Sequence, residues 1–164
     1  MVPESAATIG NASRKTLRVI ATTEGPPGSW LAQAFVLETL SQARISDAMF
    51  AQALTDTLGR SGLFASVTGE GKAGYELRAT LFQQHVSTLG LSSTSARIGV
   101  RYALVDMDSA RVVWRDTIYT EASSALGLSS IAMESEANER AMKANLAQLV
   151  DALSRLNLAR TEAK

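Results

Sequence analysis

A chain of 164 residues, 46% hydrophobic and 20% charged, is long enough for one domain with a real core and has ordinary globular composition. Its 16 basic residues balance 16 acidic ones, and no run of Lys or Arg exists, which argues against a protein that tracks nucleic-acid phosphates. The absence of cysteine excludes disulfides, thiolate zinc sites and cysteine nucleophiles, and no apolar run approaches the roughly 20 residues of a membrane span.

Met1 to Lys15 lacks the apolar stretch of a signal peptide. It is rich in Ser, Ala, Asn and Thr, which predicts a flexible tether. Thr16 to Thr22 alternates, with Leu17, Val19 and Ala21 on one face, and predicts a strand. Glu24-Gly25-Pro26-Pro27-Gly28 ends it. Trp30 to Leu40 is mostly apolar and ambiguous, compatible with a strand around Gln33–Leu37 or with a short helix. Ser46 is suited to cap a helix, with Asp47 complementing its dipole. Met49, Phe50, Ala53, Leu54, Thr57 and Leu58 then recur at helical spacing, and Gly62 is suited to the C′ position. Phe64 to Val67 predicts a short strand or connector, and Gly69 to Gly74 a loop.

Three strands follow. Tyr75, Leu77, Ala79 and Leu81 share a face of the first, and Ile98, Val100, Tyr102 and Leu104 a face of the second. Val112, Trp114, Thr117 and Ile118 alternate less cleanly in the third, which suggests a bulge. Asp106-Met107-Asp108-Ser109 forms a tight hairpin between the second and third, because Asp and Ser bond their own backbone in turns. A last helix is predicted over about Ile131 to Asn157, with Met142, Leu146, Leu149, Val150, Leu153 and Leu156 on one face and Ala137, Ala141 and Ala144 as a small-residue flank. The prediction is an α+β fold: one mostly antiparallel sheet of four to five strands with two helices packed on one face. Residues 1–15 form the tether, 16–158 a single domain and 159–164 a frayed tail.

The chemical inventory is sparse, and the chain is expected to be non-enzymatic, without cofactor or metal. The one histidine, His85, ends a strand pattern; Ser87 and Asp106 exist, but no spacing ties them to it as a base needs. Asp106 and Asp108 look like the start of a calcium loop without its later ligands. Glu134, Glu136 and Glu139 suit the start of a helix. Gly69-Glu70-Gly71-Lys72 lacks the rest of a phosphate loop.

A short repeat is more informative. Leu89-Gly90-Leu91-Ser92-Ser93 recurs as Leu126-Gly127-Leu128-Ser129-Ser130. In a meander both copies emerge at one end of the sheet, opposite the Asp106–Ser109 turn. Leu89, Leu91, Leu126 and Leu128 would then form an apolar contact edge, unless they fold back and cap the core. Trp30, Leu31 and Phe35 are a second candidate, because aromatics near loops favour interfaces; core packing is the competing reading.

The stretch Phe50 to Val67, with Arg60-Ser61-Gly62-Leu63-Phe64, resembles the helix-to-strand segment of ABC-type transport auxiliary lipoproteins and of the TolB N-terminal domain. Gly74 to Leu81 resembles the next strand of the auxiliary lipoproteins. Val100 to Trp114 resembles their hairpin, with Ala110 in place of its Gly. YajG-type lipoproteins share the outline. The resemblance covers roughly 46–157. It implies a periplasmic protein anchored to the outer membrane that assists an ABC-type lipid or solvent transport system and has no catalytic residues. Its partners would be envelope proteins or lipid, with membrane contact only through an N-terminal lipid anchor absent from this chain. The alternative is a structural or assembly accessory of the envelope unrelated to transport.

Overall fold

The computed structural model describes residues 12–24, 45–89, 93–124, 130–156 and 158. Alternation puts Leu17 and Val19 of β1 (Thr16–Thr23) into the core. Helix α1 (Asp47–Ser61) starts and stops where its end residues dictate. The Ser46 Oγ accepts the Met49 N–H at 3.3 Å, and Gly62 adopts φ +68°, a left-handed conformation that carries no Cβ penalty in glycine. Asp47 ties the helix start back to the end of β1 by accepting the N–H of Thr23 at 2.7 Å and its hydroxyl. Phe50, Leu54 and Leu58, four residues apart, are fully buried, each contributing about 1.5–3 kcal/mol by leaving water.

After β2 (Ser66–Thr68) come three long strands, β3 (Tyr75–Leu89), β4 (Ser93–Asp106) and β5 (Arg111–Ser124), then helix α2 (Ser130–Ser154). The sheet order is β2-β1-β3-β4-β5. The expected meander is β3-β4-β5, antiparallel throughout. β1 enters beside it, parallel to both β2 and β3. Two residues fall out of register: Phe82 of β3, between the pairs Leu81–Val100 and Gln83–Gly99, and Val113 of β5, between Leu104–Trp114 and Val105–Val112. The second is the bulge expected in the third strand of the meander.

Both helices cover the same face. α1 packs on β1 and β2, and α2 on β4 and β5. Between them lies one core that includes Leu17, Tyr75, Leu77, Ile98, Leu104, Leu149 and Leu153. A polar seam joins α2 to the sheet inside that core. Fully buried Asn145 donates to the Ile118 carbonyl at 3.0 Å and to the Thr120 Oγ1 at 3.3 Å, and its Oδ1 accepts the Tyr102 hydroxyl at 2.7 Å. Thr120 passes the chain on, donating to the Ala141 carbonyl at 2.8 Å.

A second polar link holds the entry to β1. Ser13 is buried and its N–H bonds the Leu63 carbonyl at 2.8 Å. Lys15 crosses Gly74 and the Tyr75 ring to reach Asp106 at 3.2 Å and Asp108 at 2.6 Å. A Cβ on Gly74 would lie 2.6 Å from the Lys15 Cδ, so glycine is what lets the lysine pass. Asp106 also accepts the N–H groups of Asp108 and Ser109, both at 2.9 Å, closing the β4–β5 turn.

Candidate functional site: the sheet face opposite the helices

Helices take one face of the sheet; among the described residues no element covers the other. Register determines what that face presents. Arg18, Glu76 and Val105 form one cross-strand row, and Ile20, Arg78, Ala103 and Arg115 the next. Thr22, Thr80, Arg101 and Thr117 form a third. Beyond the Phe82 bulge, Gly99 pairs with Tyr119, and His85, Arg97 and Glu121 align. Neighbouring strands are roughly 4.8 Å apart, so side chains far apart in sequence become close neighbours.

Around Ala103 these rows make a shallow basin of about 530 Å³, lined by Arg78, Arg101, Arg115, Thr80, Thr117 and Glu24 among others. The arginines differ in their partners. Arg78 donates from Nε to Glu76 at 2.7 Å. Arg101 contacts both carboxylate oxygens of Glu24, at 2.6 and 2.7 Å, and stacks its guanidinium 4.8 Å from the centre of the Phe82 ring. Arg115 is exposed and has no ion pair among the described residues. Glu76 is the buried member, its side chain only 2% exposed between Arg18 and Arg78. Burial opposes its ionisation, but the hydrogen bonds from Arg18 and Arg78 outweigh that and hold its carboxyl below the usual range.

Next to the basin the face turns apolar. Phe82 and Tyr119 meet edge-to-face with ring centres 5.7 Å apart, over Gly99. A Cβ there would lie 2.9 Å from the Phe82 Cζ. Tyr119 is 57% exposed.

Leu91, Leu126, Leu128, Trp30, Leu31 and Phe35, and the strand expected around Gln33–Leu37, lie outside the described residues. So does the side chain of Leu89, the last residue of β3. The flanks of the repeat are described: Leu89 pairs with Ser93 and Thr94 with Ser124, so β3 and β5 end together, at the opposite end of the sheet from the Asp106–Ser109 turn. His85 is exposed beside Arg97, whereas Asp106 pairs with Tyr75 at the far end of the sheet, so His85 and Asp106 do not converge. Among the described residues no three His, Asp or Glu side chains gather as a metal site. The arginine rows escaped sequence reasoning because single arginines at alternate strand positions look like ordinary solvent-facing residues. The usable signal was their recurrence at the polar positions of all three meander strands.

No family model matches the chain, and no curated protein matches it significantly. Solved structures do. A Xanthomonas campestris protein of the DUF330 family is 19% identical, with TM-score 0.65 over 99% of this chain and 93% of that one. A protein provisionally assigned as a lipoprotein in Caulobacter crescentus CB15 is 14% identical, with TM-score 0.55 over 83% of this chain and 87% of that one. A Chlamydia trachomatis protein is 11% identical, with TM-score 0.55 over 85% of this chain and 98% of that one. At these identities the likeness is one of fold: the chain shares its α+β architecture with these bacterial proteins.

Proposed function

We propose that this chain is the non-enzymatic binding domain of an envelope lipoprotein, held at the periplasmic side of the outer membrane as an auxiliary of an ABC-type lipid or solvent transport system. The observation that carries the binding reading is the one-sided sheet. Two helices seal one face, and the other presents arginines, threonines and an aromatic pair with no covering element among the described residues. A broad, shallow surface of that kind suits docking better than enclosure of a small substrate. The fold shared with the Caulobacter protein assigned as a lipoprotein supports the envelope setting, and the helix-to-strand phrase from Phe50 to Val67 supports the transport-auxiliary role.

Expression of the complete reading frame in cells fed radiolabelled palmitate tests the anchor. Label in the protein and its recovery with outer membranes are expected; an unlabelled protein in the cytosol would sink the reading. A gene neighbourhood with a permease, an ATPase and a substrate-binding component is expected for transport. A neighbourhood without them favours an assembly accessory.

A further inference from the structure

We propose that the sheet face opposite the helices docks on a membrane surface, its arginines engaging the phosphates of anionic lipid headgroups. The proposal takes the envelope reading as its setting and adds a second, protein-borne contact to the inferred anchor.

Charge segregation is the first argument. The chain as a whole is neutral. The open face and its rim carry Arg18, Arg78, Arg97, Arg101 and Arg115 against Glu24, Glu76, Asp116 and Glu121. The helices on the opposite side carry Asp47, Asp56, Glu134, Glu136, Glu139 and Asp151 against Arg60, Arg140, Lys143 and, directly after α2, Arg155, which pairs with Asp151. Among the described residues the excess of positive charge therefore lies on the sheet face and the excess of negative charge on the helix layer, which turns the sheet toward a negative surface.

The chemistry of the face is the second argument. Every cation on it is an arginine, whose planar fork matches phosphate oxygens with two parallel bonds. Arg101 holds both oxygens of the Glu24 carboxylate from one nitrogen, Nη2, and Arg115 has no ion pair among the described residues. Thr80 and Thr117 add hydroxyls to the same basin. Interspersed with these are Ile20, 40% exposed, and Tyr119. Aromatic and long cationic side chains together are the set that favours the lipid–water boundary.

Shape decides between a membrane and a peptide. The arginines are spread over β1, β3, β4 and β5, about 14 Å across the sheet at ordinary strand spacing. An extended acidic peptide would follow one row, whereas a plane of headgroups meets all of them.

Vesicle flotation tests this. The chain has no cysteine to lipidate, so capture reports the face and not an anchor, and its failure would leave the palmitate result standing. Vesicles containing phosphatidylglycerol should carry the protein upward at low salt, and vesicles of phosphatidylcholine alone should not. The double variant Arg101→Gln/Arg115→Gln should lower the bound fraction at least fivefold at an unchanged melting temperature, since both side chains are exposed. Arg101→Lys/Arg115→Lys should recover only part of the binding, because the charge returns without the fork. Tyr119→Ser should weaken capture at high salt more than at low salt. No flotation, or a double variant that floats like the parent, would overturn the proposal. So would inorganic phosphate shifting the amide signals of the basin while vesicles leave them unmoved, which would mark a small-anion site. Polyglutamate binding in place of vesicles would overturn it in favour of an acidic protein partner.

Discussion

Replacing Asn145 with alanine isolates the energetic role of the polar seam under α2. The substitution removes the bonds to the Ile118 carbonyl and the Thr120 hydroxyl, and the acceptor for the Tyr102 hydroxyl. Tyr102 and Asn145 are 2% and 0% exposed, so water does not compensate in place. The Tyr102 hydroxyl and the Ile118 carbonyl each lose a buried partner, at about 1–3 kcal/mol apiece. With a small cavity added, the expected loss is about 3–5 kcal/mol, a large share of the roughly 5–15 kcal/mol that stabilises an ordinary domain. The melting temperature should fall by roughly 10–15 °C. Tyr102→Phe strands only the Asn145 Oδ1 and should cost about 1–2 kcal/mol. The double variant should cost less than the sum of the two, because phenylalanine no longer needs the acceptor that alanine takes away. Urea unfolding followed by Trp114 fluorescence reads this directly, since that ring stacks on Tyr102 with centres 6.5 Å apart. If Asn145→Ala costs under about 1 kcal/mol, or the two changes simply add, the seam does not hold α2 to the sheet as argued.

The hairpin turn offers a stabilising change: Ala110 has φ 54°, the strained left-handed region for a residue with a Cβ. Ala110→Gly should add about 0.5–1 kcal/mol in urea titration. Two glycines, one inside α1 and one just after it, should respond with opposite signs. Gly59→Ala, in α1 with open space at its Cβ, should stabilise by about 0.5–1 kcal/mol. Gly62→Ala, at φ +68° with equally open space, should destabilise by about 1 kcal/mol through backbone conformation alone. Stability should also fall at both pH extremes. Asp106 is held below the usual carboxylate range, first by the Ser109 N–H and against the cost of burial by Lys15, and Glu76 is lowered too. A lowered folded-state pKa gives stability that is present above about pH 4 and lost as pH drops further, so Glu76→Gln should flatten the acid limb. Burial pushes the Tyr102 phenol up. A raised pKa gives stability that is complete below about pH 10 and lost above it, so Tyr102→Phe should flatten the alkaline limb.

Elements with chemical punctuation were legible in the sequence. Ser46 and Gly62 bound α1 because a side chain and a glycine satisfy what a helix end requires. Asp106 closes the hairpin by accepting N–H groups in its own turn. The alternation of Tyr75, Leu77, Ala79 and Leu81 correctly marked the buried face of β3. What alternation does not encode is strand direction or neighbour order, so the parallel placement of β1 between β2 and β3 was invisible. The meander strands also run longer than expected. Stretches such as Gln83–Ser87 and Ser93–Ser95 carry polar residues on both faces, so they lack the contrast that marks a strand end. The basin was hidden for a related reason. Arg78, Ala103 and Arg115 are far apart in sequence and become one row only through register. The role of Lys15 was hidden as well, because nothing local connects it to an acid 91 residues away.

The position of β1 has a mechanical consequence. It is the first of the described strands, yet it lies inside the sheet, gripped on both sides by strands running in its own direction. A pull delivered through the residues before Thr16 acts along the strand axis. It loads the bonds to β2 and β3 side by side, in shear, and cannot peel them one at a time. Lys15, bound to Asp106 and Asp108, passes part of that load to the β4–β5 turn. A domain hung by its N-terminal end would therefore resist tension where it is most exposed to it. Single-molecule pulling from that end should show one high-force rupture, lowered by Lys15→Ala; a series of low-force steps would contradict the shear geometry.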